Sequence, residues 1–261
     1  MGPGHVIFIG AGPGAADLIT LRGARALSRA SVVLFDALTD PALREFAPAA
    51  EWVDVGKRGF SASTGQDRIN VLLVQYASTG AIVARLKGGD PSVFGRLEEE
   101  QQALAEAGIT SEVIPGVTSA LAAAAASSRP LTRRGDGRSV ALTTAMTQER
   151  ELHAGRRADT EVFYMAGRQL AMLARRLAEA GWPPDTAVCV VSRAGWPDQV
   201  VSDHDVGTLP TACLLHTGRP AVVTVGVGAR PVLQRACPAA VRTGDEPEPS
   251  EGDPAAAFTR P

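Results

Sequence analysis

Short extended runs of apolar residues alternate with amphipathic segments through the first half of the chain. The extended runs occupy residues 5–9, 32–35, 51–55, 81–86 and 111–114. The segments with apolar side chains at helical spacing are 15–30, 66–78, 98–107 and 119–126. Strands that alternate with helices in this way are typical of a parallel α/β sheet. We therefore predict a parallel-sheet N-terminal lobe over residues 1–128.

The second half carries more extended runs and a single strong amphipathic helix. The extended runs are 139–144, 161–165, 187–192, 199–202 and 221–227, and the helical segment is 169–180. The short link 195–198, Gly-Trp-Pro-Asp, predicts a hairpin between two of these strands. This pattern predicts a mixed-sheet α/β C-terminal lobe over residues 139–235. The remaining 240–261 is rich in Gly, Asp, Glu, Pro and Ala, which predicts a disordered tail.

The glycines after the first strand predict a small-molecule site. Gly10-x-Gly12-x-x-Ala15 satisfies the dinucleotide fingerprint, and Asp36 falls where a ribose-binding acid would stand. Pro13 disfavours that interpretation, because it removes a backbone N–H that would face a pyrophosphate. An NAD-dependent oxidoreductase and a purely structural turn stay as alternatives. In open α/β sheets ligands lie beyond the carboxyl ends of the strands, so the glycine loops should converge there.

Composition narrows the range of partners and compartments. The chain has 261 residues and a formal net charge of −2, which disfavours nucleic acid and anionic membranes as partners. No apolar run is long enough to span a membrane and no secretory leader is recognisable, so we predict a cytoplasmic protein.

Cysteine and histidine spacing predicts no metal site. The three cysteines are widely separated and are predicted to be reduced, and none of the four histidines pairs with another at ligand spacing. The residues are Cys189, Cys213, Cys237, His5, His153, His204 and His216.

Four motifs, the first of which contains the glycine loop, occur in order at strand ends and carry a family resemblance. They are residues 6–14 (VIFIGAGPG), 53–58 (VDVGKR), 85–96 (RLKGGDPSVFGR) and 113–120 (VIPGVTSA). Together they resemble the tetrapyrrole methylases over about residues 4–228, and most narrowly the members that methylate uroporphyrinogen III on carbon. Four ordered motifs are far more specific than one glycine loop.

The resemblance implies a two-lobed class III methyltransferase, a homodimer, that uses S-adenosylmethionine. The implied reaction is C-methylation of uroporphyrinogen III towards precorrin-2, on the cobalamin and sirohaem branch, and we expect no fused dehydrogenase or chelatase segment. Asp36 matches the proposed proton acceptor of the family, and Lys57 its proposed proton donor. The implied cofactor contacts are Pro13, Gly88, Gly89, Asp90, Val93, Thr118, Ser119, Met165 and Ala194.

The chemistry of the implied reaction agrees with these residue types. Methylation of a pyrrole carbon creates a cation that must lose a proton, so a carboxylate such as Asp36 is a plausible base. The substrate is an octacarboxylate, and a protein with a net charge of −2 must bind it with local cations. We predict that these include Arg58, Arg96, Arg133 and Arg134.

The chain also departs from the family pattern, chiefly on the substrate side. Ala62 and Met146 replace family histidines, and Ala145 replaces the glycine before the second of these. Arg133 replaces a third histidine, and with Arg129 and Arg134 it predicts a permanently charged cluster. Leu97-Glu98 replaces a glycine pair. A diverged homologue that methylates another acceptor is therefore a second hypothesis.

Overall fold

The first half of the chain forms an all-parallel sheet, as its apolar pattern predicts. The structure is a computed structural model and describes residues 4–56, 65–145 and 154–232. The strands are β1 (His5–Gly10), β2 (Val32–Phe35), β3 (Glu51–Asp54), β4 (Ile82–Lys87) and β5 (Thr110–Ile114). Their order is β3-β2-β4-β1-β5, and every neighbouring pair is parallel.

Four helices accompany this sheet. They are α1 (Leu21–Leu27), α2 (Gln66–Ser78), α3 (Leu97–Glu106) and α4 (Ser119–Ala126). The prediction of one helix over 15–30 is wrong, because a 3-10 turn at Ala16–Leu18 precedes α1. Thr20 separates the two with an extended backbone, and its hydroxyl accepts a hydrogen bond from the amide of Gly23. This is an N-cap, which starts a new helix at that point.

The second half forms a mixed sheet. Its strands are β6 (Val140–Thr144), β7 (Thr160–Tyr164), β8 (Ala187–Ser192), β9 (Val200–Asp205) and β10 (Ala221–Gly226). The order is β6-β7-β10-β8-β9; β6 and β7 are parallel and the other neighbours are antiparallel. The antiparallel pairing of β8 with β9 confirms the predicted hairpin.

Two helices of the second half differ in how far they were predictable. Helix α5 (Leu170–Glu179) lies inside the segment predicted from its apolar period. A 3-10 turn at Leu209–Ala212 continues into the short helix α6 (Cys213–His216), and the sequence analysis predicted neither.

Alternating side chains give the first sheet two apolar faces. Ile7 and Ile9 of β1 pack with Leu27 of α1 on one face, and Val6 and Phe8 pack with α2 on the other. Successive strand residues point to opposite faces, so a sheet covered on both sides has continuous apolar strands. Burial of Phe8 alone stabilises the fold by about 1.5–3 kcal/mol.

Helix α4 connects the two sheets. It begins in the loop after β5, and its alanines Ala120 and Ala123 pack against Val162, Val191 and Val222 of the second sheet. Small side chains let the helix approach that sheet closely. Helix α5 covers the opposite face, where its leucines pack around Phe163.

Both sheets belong to one compact unit that ends at Pro231. The lobe boundaries at 128 and 139 stay a prediction, and the tail 240–261 lies outside the described residues. No helix in the described part of the chain is long and apolar enough to cross a membrane.

Candidate functional site

Glycine loops at the carboxyl ends of β1, β4 and β5 converge in direct backbone contact, as predicted. The amide of Gly89 donates to the carbonyl of Gly12 at 2.7 Å, and a Cβ on Gly10 would stand 2.5 Å from Gly116. A Cβ on Gly116 would stand 2.3 Å from the carbonyl oxygen of Gly89. Real Cβ atoms do not approach backbone so closely, so these contacts need glycine.

A cavity of about 250 Å³ opens beside these loops, between the two sheets. All nine residues implied as cofactor contacts line it. They are Pro13, Gly88, Gly89, Asp90, Val93, Thr118, Ser119, Met165 and Ala194. The rest of the lining is mainly apolar, and includes Leu38, Phe94, Tyr164 and Trp196.

Gly88 and Gly89 leave open space on the cavity side. A Cβ on Gly88 would meet only Leu38 at 3.5 Å, and one on Gly89 would meet only Thr118 at 3.9 Å. Gly89 also has φ +75°, a backbone conformation that side chains disfavour. Any side chain here would fill part of the cavity. Gly88 and Gly89 therefore form a cradle in which a ligand can come close to the backbone.

The Asp90 carboxylate ties two of the loops together. One oxygen accepts from the amide and hydroxyl of Ser92, and the other accepts from the amide of Gly116 at 2.9 Å. Burial opposes its charge, but these donors outweigh burial and hold the pKa of Asp90 below its usual value. Asp90 therefore organises the cradle besides facing the cavity, a role that the motif alone did not indicate.

Two hydroxyls join the halves across the cavity. Thr118, which precedes α4, lies 2.8 Å from the hydroxyl of Tyr164 at the end of β7. Phe94 packs edge-on against the same tyrosine, with ring centroids 5.0 Å apart. The sequence analysis missed Tyr164, although its place at a strand's carboxyl end, directly before Met165, was a usable signal.

Three lining residues adopt left-handed backbone conformations without being glycine. Phe94, Met165 and Arg193 have φ of +52°, +57° and +51°. Such conformations are costly for bulky residues and concentrate at functional sites. Their clustering on one cavity supports its assignment as the functional site.

Asp36 does not line the cavity and instead joins a buried set of charges, which we call the ionic cluster. Its carboxylate pairs with the guanidinium of Arg85 at 2.7 Å. Arg85 also pairs with Glu100 at 3.1 Å, and Glu100 accepts from Lys87 at 2.7 Å. Arg85, Lys87 and Glu100 are almost fully buried, whereas the Asp36 side chain is 30 % exposed.

The surroundings shift the pKa values of the two cations of the ionic cluster in opposite directions. Burial disfavours the charge of Arg85, but Asp36 and Glu100 outweigh it and raise the pKa of the guanidinium. For Lys87, burial and the neighbouring Arg85 outweigh Glu100 and lower its pKa. The carboxylates are thus held by a fixed cation, and Asp36 presents the more accessible edge of the cluster.

None of the described substrate-binding candidates lines the cavity. Arg96 directly precedes α3, two residues after Phe94, and it pairs with Glu99 at 2.6 Å on the exposed surface. Lys57 and Arg58 lie outside the described residues, as do Ala62 and Met146. Ala145 is fully buried in the core of the second half.

The structure does not bring Arg133 and Arg134 to the cavity. Their loop adjoins the amino end of β7, where the hydroxyl of Thr160 donates to the carbonyl of Leu131, whereas the cavity lies at the carboxyl end. The guanidinium of Arg133 donates to the carbonyls of Arg230 and Pro231.

Arg129, the third arginine of the predicted charged cluster, already has a carboxylate partner. Arg129 is largely buried and pairs with Asp203 of β9 at 2.7 Å. In the part of the chain that the structure describes, no group of three or more metal-ligating side chains could hold a metal ion.

Comparison with known proteins gives consistent similarities. The family model of tetrapyrrole (corrin/porphyrin) methylases matches residues 5–210. The uroporphyrinogen-III C-methyltransferase of Pseudomonas aeruginosa is 40% identical over 241 residues, which cover 89% of this chain and 97% of that protein. A siroheme synthase of a Psychrobacter species is 38% identical over 84% of this chain, but the match spans only 48% of that longer protein.

Solved structures show the same similarity in three dimensions. The uroporphyrin-III C-methyltransferase of Thermus thermophilus complexed with S-adenyl homocysteine is 35% identical, with a TM-score of 0.75. The match covers 85% of this chain and 97% of that one. A cobalt precorrin-4 methyltransferase is 28% identical over 87% of this chain and 96% of that one, with a TM-score of 0.76.

Proposed function

The chain belongs to the tetrapyrrole methylase family, and on that premise we propose that it methylates pyrrole carbons of uroporphyrinogen III, towards precorrin-2, with S-adenosylmethionine as the methyl donor. The observation that carries the proposal is the cavity between the two sheets. It gathers all nine residues that the family motifs imply as cofactor contacts, from five separate stretches of sequence.

The cavity fits the proposed cofactor. The open cradle of Gly88 and Gly89 lets backbone groups approach the amino-acid end closely, and the apolar lining suits the flat adenosine part. Asp90 holds the cradle in shape through Gly116, while Thr118 and Tyr164 supply hydroxyls to the cavity lining. When bound, the cofactor supplies an electrophilic methyl group.

The protein's own part in the chemistry is to orient the acceptor and remove a proton. We propose Asp36 as the base, because it stands at the carboxyl end of β2 and keeps a partly exposed carboxylate. Arg85 holds this carboxylate in one orientation from a buried position. Lys57 is proposed as proton donor from the family pattern alone.

Substrate recognition is proposed to rest on cations close to the cavity mouth. Arg96 is the described candidate, since it follows the lining residue Phe94 closely. Arg58 joins it from the family pattern. Arg133 and Arg134 are not proposed as substrate-binding residues of the cavity in their own chain, because their loop adjoins the opposite end of β7.

A decisive experiment is anaerobic incubation of the pure protein with uroporphyrinogen III and S-adenosylmethionine, followed by mass analysis of the pigment. Added mass in methyl increments supports the proposal. Calorimetry should show binding of S-adenosylhomocysteine and none of NAD. Binding of NAD alone would favour the oxidoreductase, and cofactor binding without methylation would favour a diverged methylase with another acceptor.

Asp90→Ala sharpens the assignment of the cavity. It removes the acceptor for three donors in two loops, so affinity for S-adenosylhomocysteine should fall by about 1–3 kcal/mol. Asp17→Asn is the matched control, because Asp17 is exposed and lies outside the cavity lining. An unchanged affinity in Asp90→Ala would remove the residue from the site.

The family resemblance also supports a homodimer and a cytoplasmic location. Light scattering after size-exclusion chromatography tests the first, and cell fractionation tests the second. A monomer at micromolar concentration, or recovery in a membrane or secreted fraction, would contradict them.

A further inference from the structure

The loop after β8, residues 193–198, rests directly on the first glycine loop. A Cβ on Gly14 would stand 2.4 Å from Cδ1 and 2.5 Å from Nε1 of Trp196, so the indole occupies the space that any side chain there would need. Beside it, a Cβ on Gly195 would stand 3.1 Å from Leu18. The second half of the molecule therefore contacts the first half through this tryptophan.

A chain of polar contacts fixes the indole from behind. The guanidinium of Arg193 lies 4.4 Å from the centre of the indole ring, within the range of a cation–π contact. Its Nε donates to Asp198 at 2.7 Å, and Asp198 also pairs with Arg219 at 3.3 Å. Arg219 donates in turn to the hydroxyl of the buried Ser192 at 2.9 Å. The contacts hold Trp196 to the end of β8.

Trp196 also lines the cavity, next to Gly12, Pro13 and Ala194. Gly12 and Pro13 come from the first half, whereas Ala194 comes from the second. The indole thus stands where the two walls of the cavity meet.

We propose that Trp196 is a positioning residue that holds the Gly12–Gly14 loop against the second half, so that the cavity has the width its cofactor needs. We call this contact the Trp196 clamp. It rests on the proposed function, since the cofactor in question is S-adenosylmethionine. The clamp adds a side-chain determinant of affinity to a site whose motif residues act largely through their backbone.

The clamp is tested by calorimetric titration of the full chain with S-adenosylhomocysteine. Trp196→Ala should weaken binding by about tenfold or more, because the loop loses its support. Trp196→Phe keeps an aromatic ring between Gly14 and Arg193 and should recover most of the affinity. Trp52→Phe is the matched control, since Trp52 of β3 packs against Phe35 of the neighbouring strand β2 and lies outside the cavity lining.

A double-mutant cycle identifies the partner of the indole. Gly14→Ala should also weaken binding, because its Cβ would collide with Trp196. In the Trp196→Ala background the collision with the indole is gone and only the contact with the carbonyl oxygen of Ala194, at 2.8 Å, remains. The same change should therefore weaken binding clearly less than it does in the parent chain, and the two effects should not add fully. Fully additive effects would overturn the clamp.

Fluorescence provides a readout that a merely structural residue would not change. Emission of the wild type should shift on binding S-adenosylhomocysteine, the shift should persist in Trp52→Phe, and it should disappear in Trp196→Phe. Wild-type affinity in Trp196→Ala, with binding intact in the parent chain, would overturn the clamp alone. Failure of the parent chain to bind S-adenosylhomocysteine would overturn the clamp and the proposed function together.

Discussion

Two polar networks lie at strands whose ends line the cavity, and they differ in the side chains that form them. At β4 lies the ionic cluster, in which Arg85 and Lys87 are buried and both pair with the buried Glu100. Behind β8 stands a network of hydroxyls and imidazoles, centred on His216. Nδ1 of His216 lies 2.9 Å from the hydroxyl of Ser192, and Nε2 of the same ring lies 2.8 Å from the hydroxyl of Ser202.

The difference teaches how each wall of the cavity is kept in place. Buried charges are stable only when paired, so each cation of the ionic cluster requires Glu100. In the second network burial, followed by the nearby His204 and Arg219, lowers the pKa of the fully buried His216. The first wall therefore depends on charge pairing, and the second depends on hydrogen bonds that meet at the His216 imidazole.

The largest effect is expected at the centre of the ionic cluster. Glu100→Gln leaves Arg85 and Lys87 buried without their shared carboxylate, which should lower the free energy of unfolding by about 3–5 kcal/mol. Urea unfolding measures this loss. Glu99→Gln is the matched control, because its pair with Arg96 is exposed and should contribute about 0–1 kcal/mol. Equal losses in both variants would contradict the assigned role of the buried pairs.

A smaller but functional effect is expected at the exposed edge of the same cluster. Asp36→Asn keeps the shape and removes the base, so turnover should fall by roughly a hundredfold while affinity for S-adenosylhomocysteine stays nearly constant. Single-turnover kinetics and calorimetry separate the two quantities. Full turnover in this variant would reduce Asp36 to a structural partner of Arg85.

The smallest effect separates the two networks by pH. Because the folded pKa of His216 is below its unfolded value, the unfolded chain binds more protons near pH 6, and stability is lost as pH falls below about 6.5. His216→Asn should reduce the loss of unfolding free energy between pH 7.5 and pH 5.5. Glu100→Gln should leave that loss nearly unchanged, since no histidine contributes to the ionic cluster. An equal loss in the wild type and in His216→Asn would sink the assignment.

Local pattern was enough to predict the elements whose signals lie within their own residues. The helix 66–78 and the strand 187–192 have the predicted bounds, because periodic apolar residues are bounded by polar or turn-forming neighbours. The sequence analysis did not predict that residues 15–30 form a 3-10 turn and a separate helix, although the Thr20 cap is visible in the sequence. The turns at 209–216 escaped because they are too short to show a period.

The sequence by itself determined the succession of strands and longer helices along the chain and the family. It also determined the glycine loops that meet at one end of the first sheet. Only the tertiary structure decided which distant side chains meet. Strand β2 lies beside β4 with Phe35 opposite Leu86, and this register brings Asp36 to Arg85. Folding places Trp196 on Gly14 and carries Arg133 away from the cavity. Such contacts depend on register and packing between residues far apart in the chain, which local periodicity does not specify.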